Sequence, residues 1–152
     1  MASLFDTTRN FSFYTVPAAW LVAFLPHPYA VSLSKKFDNV SPRTYIGSLQ
    51  KDQTIDQATK DRITRAEGAQ TNGFENLGLF AAAVVAGNLA GLSAETLNSL
   101  SGGYIVSRIN NTSPSAANLR SLVFLTGVGC IWTLFIKSGN ILRKIAANIL
   151  QI

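Results

Sequence analysis

From Phe11 to Leu33 the chain reads FSFYTVPAAWLVAFLPHPYAVSL, with no formally charged residue at neutral pH. At about 1.5 Å rise per residue, a helix of that length covers a hydrocarbon core of roughly 30 Å. This run places the chain in the membrane class. Pro17 suits a first helical turn, whereas Pro26 and Pro28 predict a kink, which membrane helices tolerate when neighbours satisfy the freed backbone groups. A cleaved signal peptide is the rival reading. It is disfavoured because Arg9 alone supplies positive charge ahead of the run and no small-x-small site follows it.

Composition agrees: of 152 residues 47% are hydrophobic and 14% charged, which is oily for a water-soluble domain. The modest mean hydropathy of +0.22 averages very apolar blocks with one polar block, Ser34 to Arg65. Three further apolar blocks predict helical spans over about 69–92, 94–110 and 117–136, the last two separated by the turn-forming NTSPS at Asn111 to Ser115. Within the second, Ala82, Ala86 and Ala90 form one stripe of small residues and Ala83, Gly87 and Gly91 another, and both allow close helix approach. The tail, 140–152, alternates Ile and Leu with Arg143, Lys144 and Asn148 as an interfacial helix would. The expected fold is an all-α, integral membrane four-helix bundle in a single domain, with residues 34–65 as a cytoplasmic loop.

Basic residues set the orientation. Lys35, Lys36, Arg43, Lys51, Lys60, Arg62 and Arg65 flank the first loop, and Arg108 and Arg120 flank the third. By the positive-inside rule both odd loops are cytoplasmic and both termini lumenal. The net charge of +5 then meets anionic lipid headgroups, and no basic stripe with interleaved aromatics suggests nucleic acid. Cys130 and His27 are the only residues of their types, so no intrachain disulfide, Cys/His metal site or Ser-His-Asp triad is expected. Of four tripeptides matching glycosylation acceptors, only Asn10 faces the lumen in this topology, and it lies close to the membrane.

The segment RITRAEGAQTNGFENLGLF, Arg62 to Phe80, carries polar groups into an oily helix. Helical spacing predicts that Arg65, Asn72 and Glu75 share a face at the cytoplasmic end of the second span. A charge at a helix centre costs about 2.5–3.5 kcal/mol on insertion scales, so this face requires protein or a wet cavity, with a partner. Arg108 and Arg120 are the available cations. Arginines, amides and one carboxylate suit a small zwitterionic ligand, because guanidiniums grip carboxylates and a carboxylate receives an ammonium. A purely structural salt bridge from Glu75 to an arginine fits the same residues.

RAEGAQTNGFEN followed by an alanine-rich span resembles the second-helix signature of the MAPEG family, the membrane-associated proteins in eicosanoid and glutathione metabolism. VPAAWLVAFLPHPYAV, KFDNVSPR and LRSLVF resemble its fungal branch, so the likeness runs through nearly the whole chain. It implies a homotrimer of four-helix bundles in the endoplasmic reticulum, contacting membrane lipids, with glutathione as co-substrate and a lipophilic small molecule as the other substrate. By the same resemblance Asn72 and Glu75 are expected to bind glutathione and Arg120 and Ser121 to be catalytic, while Arg65, on the helix face of Asn72 and Glu75, and Arg108, as an available cation, are expected to complete the binding site. Gly68 and Thr71 stand where enzymes of the family often have arginines, and Phe124 stands where some have a tyrosine.

The implied mechanism is thiolate activation. A guanidinium near sulfur favours the charged form, Ser121 donates a hydrogen bond, and the thiolate attacks an electrophilic lipid or reduces a lipid hydroperoxide. The alternative is a non-catalytic lipid-binding or partner-presenting member, which the missing arginines and phenol favour.

Overall fold

The computed structural model describes residues 9–109 and 117–150, apart from the side chains of residues 117–120 and 150. Every regular element among them is helical: α1 (Ser12–Phe24), α2 (Pro26–Ser34), a 3-10 turn (Pro42–Thr44), α3 (Tyr45–Lys51), α4 (Gln57–Leu89), α5 (Ala94–Ile109) and α6 (Ala117–Leu150). The all-α expectation is met.

Prolines divide the first apolar run into α1 and α2. Pro26 and Pro28 have no N–H to give to the carbonyls four residues back. Leu25 nonetheless keeps helical angles, with its N–H bonded to Leu21 O at 3.0 Å, so the chain carries on past the break.

The polar block is more ordered than a loop. α3 forms within residues 34–65, and α4 starts at Gln57, well before the apolar residues begin. Its start is set by Asp56, whose carboxylate accepts the Thr59 N–H at 3.0 Å and the Thr59 hydroxyl at 2.7 Å. These bonds hold the Asp56 carboxyl below its ordinary value. At the other end Gly91 takes φ +73°, a left-handed angle that suits glycine. There the Gly91 and Leu92 N–H groups bond back to Asn88 O and Gly87 O at 3.1 and 3.0 Å, closing the helix.

The expected separate tail helix is instead the end of α6, which runs unbroken to Leu150. No proline interrupts it, and the Ser138 hydroxyl donates to Leu134 O at 2.6 Å, so Ser138 is satisfied within the helix and does not start a turn.

Two cores hold the bundle. In the larger, Ala19 of α1, Phe80 of α4, Tyr104 of α5 and Ile131 of α6 meet, and the Phe80 ring stacks on Tyr104 at 3.9 Å. Gly87 allows this approach, because a Cβ there would lie 2.7 Å from Leu97 Cδ2. The stripe of Ala83 and Gly87 therefore faces this bundle's own interior, while Ala82 is exposed. The smaller core joins α2, α3 and α4 through Ala30, Tyr45, Leu49 and Ile63. There the Tyr45 hydroxyl donates to Ala30 O at 3.1 Å and lies 2.6 Å from Ser34 Oγ. At the opposite end, Asn88 donates to Ser12 Oγ at 2.9 Å and Asn98 to Arg9 O at 2.7 Å, clasping the start of α1 to α4 and α5.

Two helical runs, Ser12–Ser34 and Ser121–Ile149, are long and apolar enough to cross a membrane, with mean hydropathies of 1.3 and 1.6. Only 17% and 22% of their apolar windows are buried inside the bundle. Helices at the core of a soluble protein would be mostly covered. Here Phe13, Leu21, Leu125, Trp132 and Ile136 face outward.

Candidate functional site

Between the two cores lies a cavity of about 610 Å³, a size typical of small-molecule sites. One wall is the proline break, with Ala19, Ala23, Leu25 and Pro26. Opposite it α4 presents Ala66, Ala69 and Gly73. The helices nearly touch at Gly73, where a Cβ would sit 2.7 Å from Ala23 Cβ and 3.0 Å from its Cα. Small residues on both walls keep the space open between close-packed helices.

Three guanidiniums border this apolar space: Arg62 and Arg65 from the polar end of α4, and Arg108 from the last turn of α5. Arg62 is exposed and Arg65 half-buried, so water reaches both. Arg108 differs. It is only 8% exposed, and Nε, Nη1 and Nη2 have no hydrogen-bond partner among the described residues. Its carbon lies 4.6 Å from the centre of the Tyr104 ring and 4.6 Å from that of Phe124, so the cation is held between two aromatic faces. The C-terminal end of α5 adds a favourable dipole. Neither the rings nor the dipole supplies an acceptor to the five N–H groups of a guanidinium. Among the described residues no carboxylate lines the cavity. The nearby Glu67 is engaged elsewhere, with Oε1 2.7 Å from His27 Nδ1, and it links α4 to α2.

The residues grouped from the sequence fall in two places. Arg65 and Arg108 line the cavity, whereas Asn72 and Glu75 are exposed on another face of α4 and are not part of the lining. Glu75 forms no ion pair or hydrogen bond among the described residues. Ser121 is exposed near the start of α6, and Arg120 belongs to its first turn, with a side chain outside the described residues. Sequence reasoning gave no site role to Arg62, Tyr104 or Phe124. The three-residue step from Arg62 to Arg65 was a readable signal for the first. Phe124, noted as a missing phenol, serves as a ring face for Arg108.

The MAPEG sequence profile matches residues 11–140. The chain belongs to the MAPEG family. With two helices long and apolar enough to cross a membrane, this MAPEG protein is an integral membrane protein. Members of the MAPEG family generally use glutathione. The searches of curated proteins and of solved structures each found no match.

Proposed function

We propose that this MAPEG protein is a glutathione-dependent transferase or peroxidase acting on lipophilic electrophiles or lipid hydroperoxides. The observation that carries the reading is the pair Asn72 and Glu75. A carboxylate and an amide stand exposed on the outer face of a helix that turns apolar around them, with no partner for the charge among the described residues. Glu75 is suited to a ligand ammonium and Asn72 to a peptide group, the two needs of glutathione that arginines cannot meet.

The reading extends to a four-span bundle in the endoplasmic reticulum, with termini lumenal, odd loops cytoplasmic and kinship to the fungal branch. Three copies assemble so that this outer face of α4 meets a neighbour and the shared site is shielded from lipid. Arg120 lowers the pKa of the bound thiol and Ser121 donates a hydrogen bond to the sulfur. The thiol proton leaves to solvent, sulfur bonds to the electrophilic carbon as that carbon's C=C π bond or strained C–O bond breaks, and the atom that takes the displaced electron pair is protonated from solvent. With a hydroperoxide, sulfur takes the terminal oxygen, the alcohol leaves, and a second thiol completes the reduction with release of water.

A second reading, a non-catalytic lipid-binding or partner-presenting member, is favoured by Gly68 and Thr71 in place of arginines and Phe124 in place of a tyrosine. Calorimetry on the detergent-purified oligomer separates the two. The enzyme reading expects saturable glutathione binding that weakens about tenfold or more in Glu75→Gln with assembly intact, and conjugation rates that collapse in Arg120→Ala. A well-assembled wild type that binds no glutathione would refute it.

A further inference from the structure

α6 outruns the rest of the bundle. A Cβ at Gly87 would lie 2.7 Å from Leu97, 3.2 Å from Leu92 and 3.6 Å from Leu134, so Leu134 of α6 stands level with the turn between α4 and α5. Ser138 is the last buried side chain described in α6, and Gly139 to Leu150 continue past that turn for about 18 Å. Outward, Leu125, Trp132 and Ile136 give way to Asn140, Arg143 and Lys144, so the apolar surroundings end near Ile136. Inward, the buried line of Gly127, Ile131, Leu134 and Ser138 continues as Ile141, Leu142, Ile145 and Ile149, within an arc of about 100°. Leu142, Ile145 and Ile149 are nevertheless 40%, 45% and 74% exposed. Lipid surrounds the sides of a bundle, whereas this face looks inward over its end. It is shaped for protein contact, and no described residue covers it.

We infer that residues 1–8 of the same chain dock along this face, with Leu4 and Phe5 against Ile141, Ile145 and Ile149. The geometry delivers them there. Asn98 donates to Arg9 O at 2.7 Å and accepts the Phe11 N–H at 2.7 Å, which fixes residue 9 on α5 beside Leu97. Since Leu97 packs at the level of Leu134, the segment leaves the bundle just below the projecting end of α6. Extended, residues 1–8 reach up to about 26 Å, against about 8–10 Å between the axes of packed helices such as α5 and α6. MASLFDTT also has the needed chemistry. Met1, Leu4 and Phe5 are apolar and Asp6 is an acid, while the stretch 137–150 carries Lys137, Arg143 and Lys144 and no carboxylate. A second copy of α6 would bring cations to cations. The family profile covers 11–140, so residues 1–8 and most of the projecting end both lie outside the stretch shared with the family. The contact caps the end of the bundle opposite the arginines, and it does not rest on the glutathione reading.

Cysteine cross-linking of the full-length protein in non-ionic detergent tests it, in a Cys130→Ala background that leaves no other thiol. Phe5→Cys is combined either with Ile145→Cys, on the inward face, or with Arg143→Cys, on the outward one, and both are oxidised under identical conditions. The expected result is an intramolecular disulfide that forms about tenfold or more faster with Ile145→Cys, because a docked segment meets one face at high effective concentration. Equal rates would overturn the proposal, since a segment that does not dock meets both faces alike. Disulfide-linked dimers of Ile145→Cys alone would also overturn it and give the face to a second copy. A milder readout needs no cross-link: a charged maleimide should label the single Ile145→Cys about tenfold faster once Leu4→Ser and Phe5→Ser are added. Labelling unchanged by those two substitutions would mean that residues 1–8 do not cover Ile145, and the proposal falls. Glutathione calorimetry on the wild type reports separately on the proposed activity.

Discussion

Replacing Arg108 with methionine should stabilise the ligand-free protein. Methionine keeps a long, flexible apolar side chain that can fill the same slot between the Tyr104 and Phe124 rings while removing the charge. Three guanidinium nitrogens in a residue 8% exposed lack partners, and each unsatisfied buried donor costs about 1–3 kcal/mol. Against this, two desolvated ring faces return about 1–2 kcal/mol each, and the helix C-terminus returns about 0.3–1 kcal/mol. The middle of these ranges leaves a net cost of about 2 kcal/mol for keeping the arginine, in the range by which replacing buried ions with well-packed apolar residues has stabilised other proteins. For a chain of this size that corresponds to a melting temperature about 4–8 °C higher. The assay is thermal unfolding in a fixed non-ionic detergent after delipidation, followed by fluorescence or circular dichroism. A melting temperature lowered by Arg108→Met would refute the reasoning, because it would mean that the guanidinium has a structural partner in the folded chain. A residue retained at a cost to stability is better explained by a ligand than by packing.

Two further perturbations follow from local geometry. Gly73→Ala pushes a methyl group to 2.7 Å from Ala23 Cβ and 3.0 Å from its backbone Cα, and should destabilise by about 1–3 kcal/mol. The same change at Gly68, where a Cβ meets nothing within 4 Å, should stabilise α4 by about 0.5–1 kcal/mol. Opposite shifts in melting temperature check the pair, and equal shifts would contradict the close approach of α1 and α4. Asp56→Ala should lower the melting temperature by removing the α4 cap. Because hydrogen bonds to Thr59 depress the folded-state pKa of Asp56, its contribution is fully present above the ordinary value of 3.8 and is lost as pH falls through the lower folded value. Wild type and variant should therefore differ by a constant amount above about pH 5 and converge below 3.8, as pH-dependent melting curves would reveal.

The amino-acid sequence was sufficient for the helical class, the two strongly apolar crossing runs and the break at Pro26 and Pro28. These depend on hydropathy and on the missing proline N–H, which are properties of single residues and their neighbours. Asn72 and Glu75 were visible for the same reason, as polar side chains in an apolar helix. Helix ends were partly legible: Asp56 with Thr59 three residues on is a local capping signal for α4, while nothing local marks where the interfacial pattern of the tail merges into α6. The cavity was not legible, because it depends on how far α1 and α4 approach at Gly73 and where the proline break falls along α4. The division of the arginines from Asn72 and Glu75 was hidden too, since spacing on one helix says which residues share a face and not which neighbour covers it. Only the packed bundle decided that Arg108 would be enclosed by Tyr104 and Phe124 with no hydrogen-bond partner among the described residues, because burial and pairing are set by residues distant in the chain.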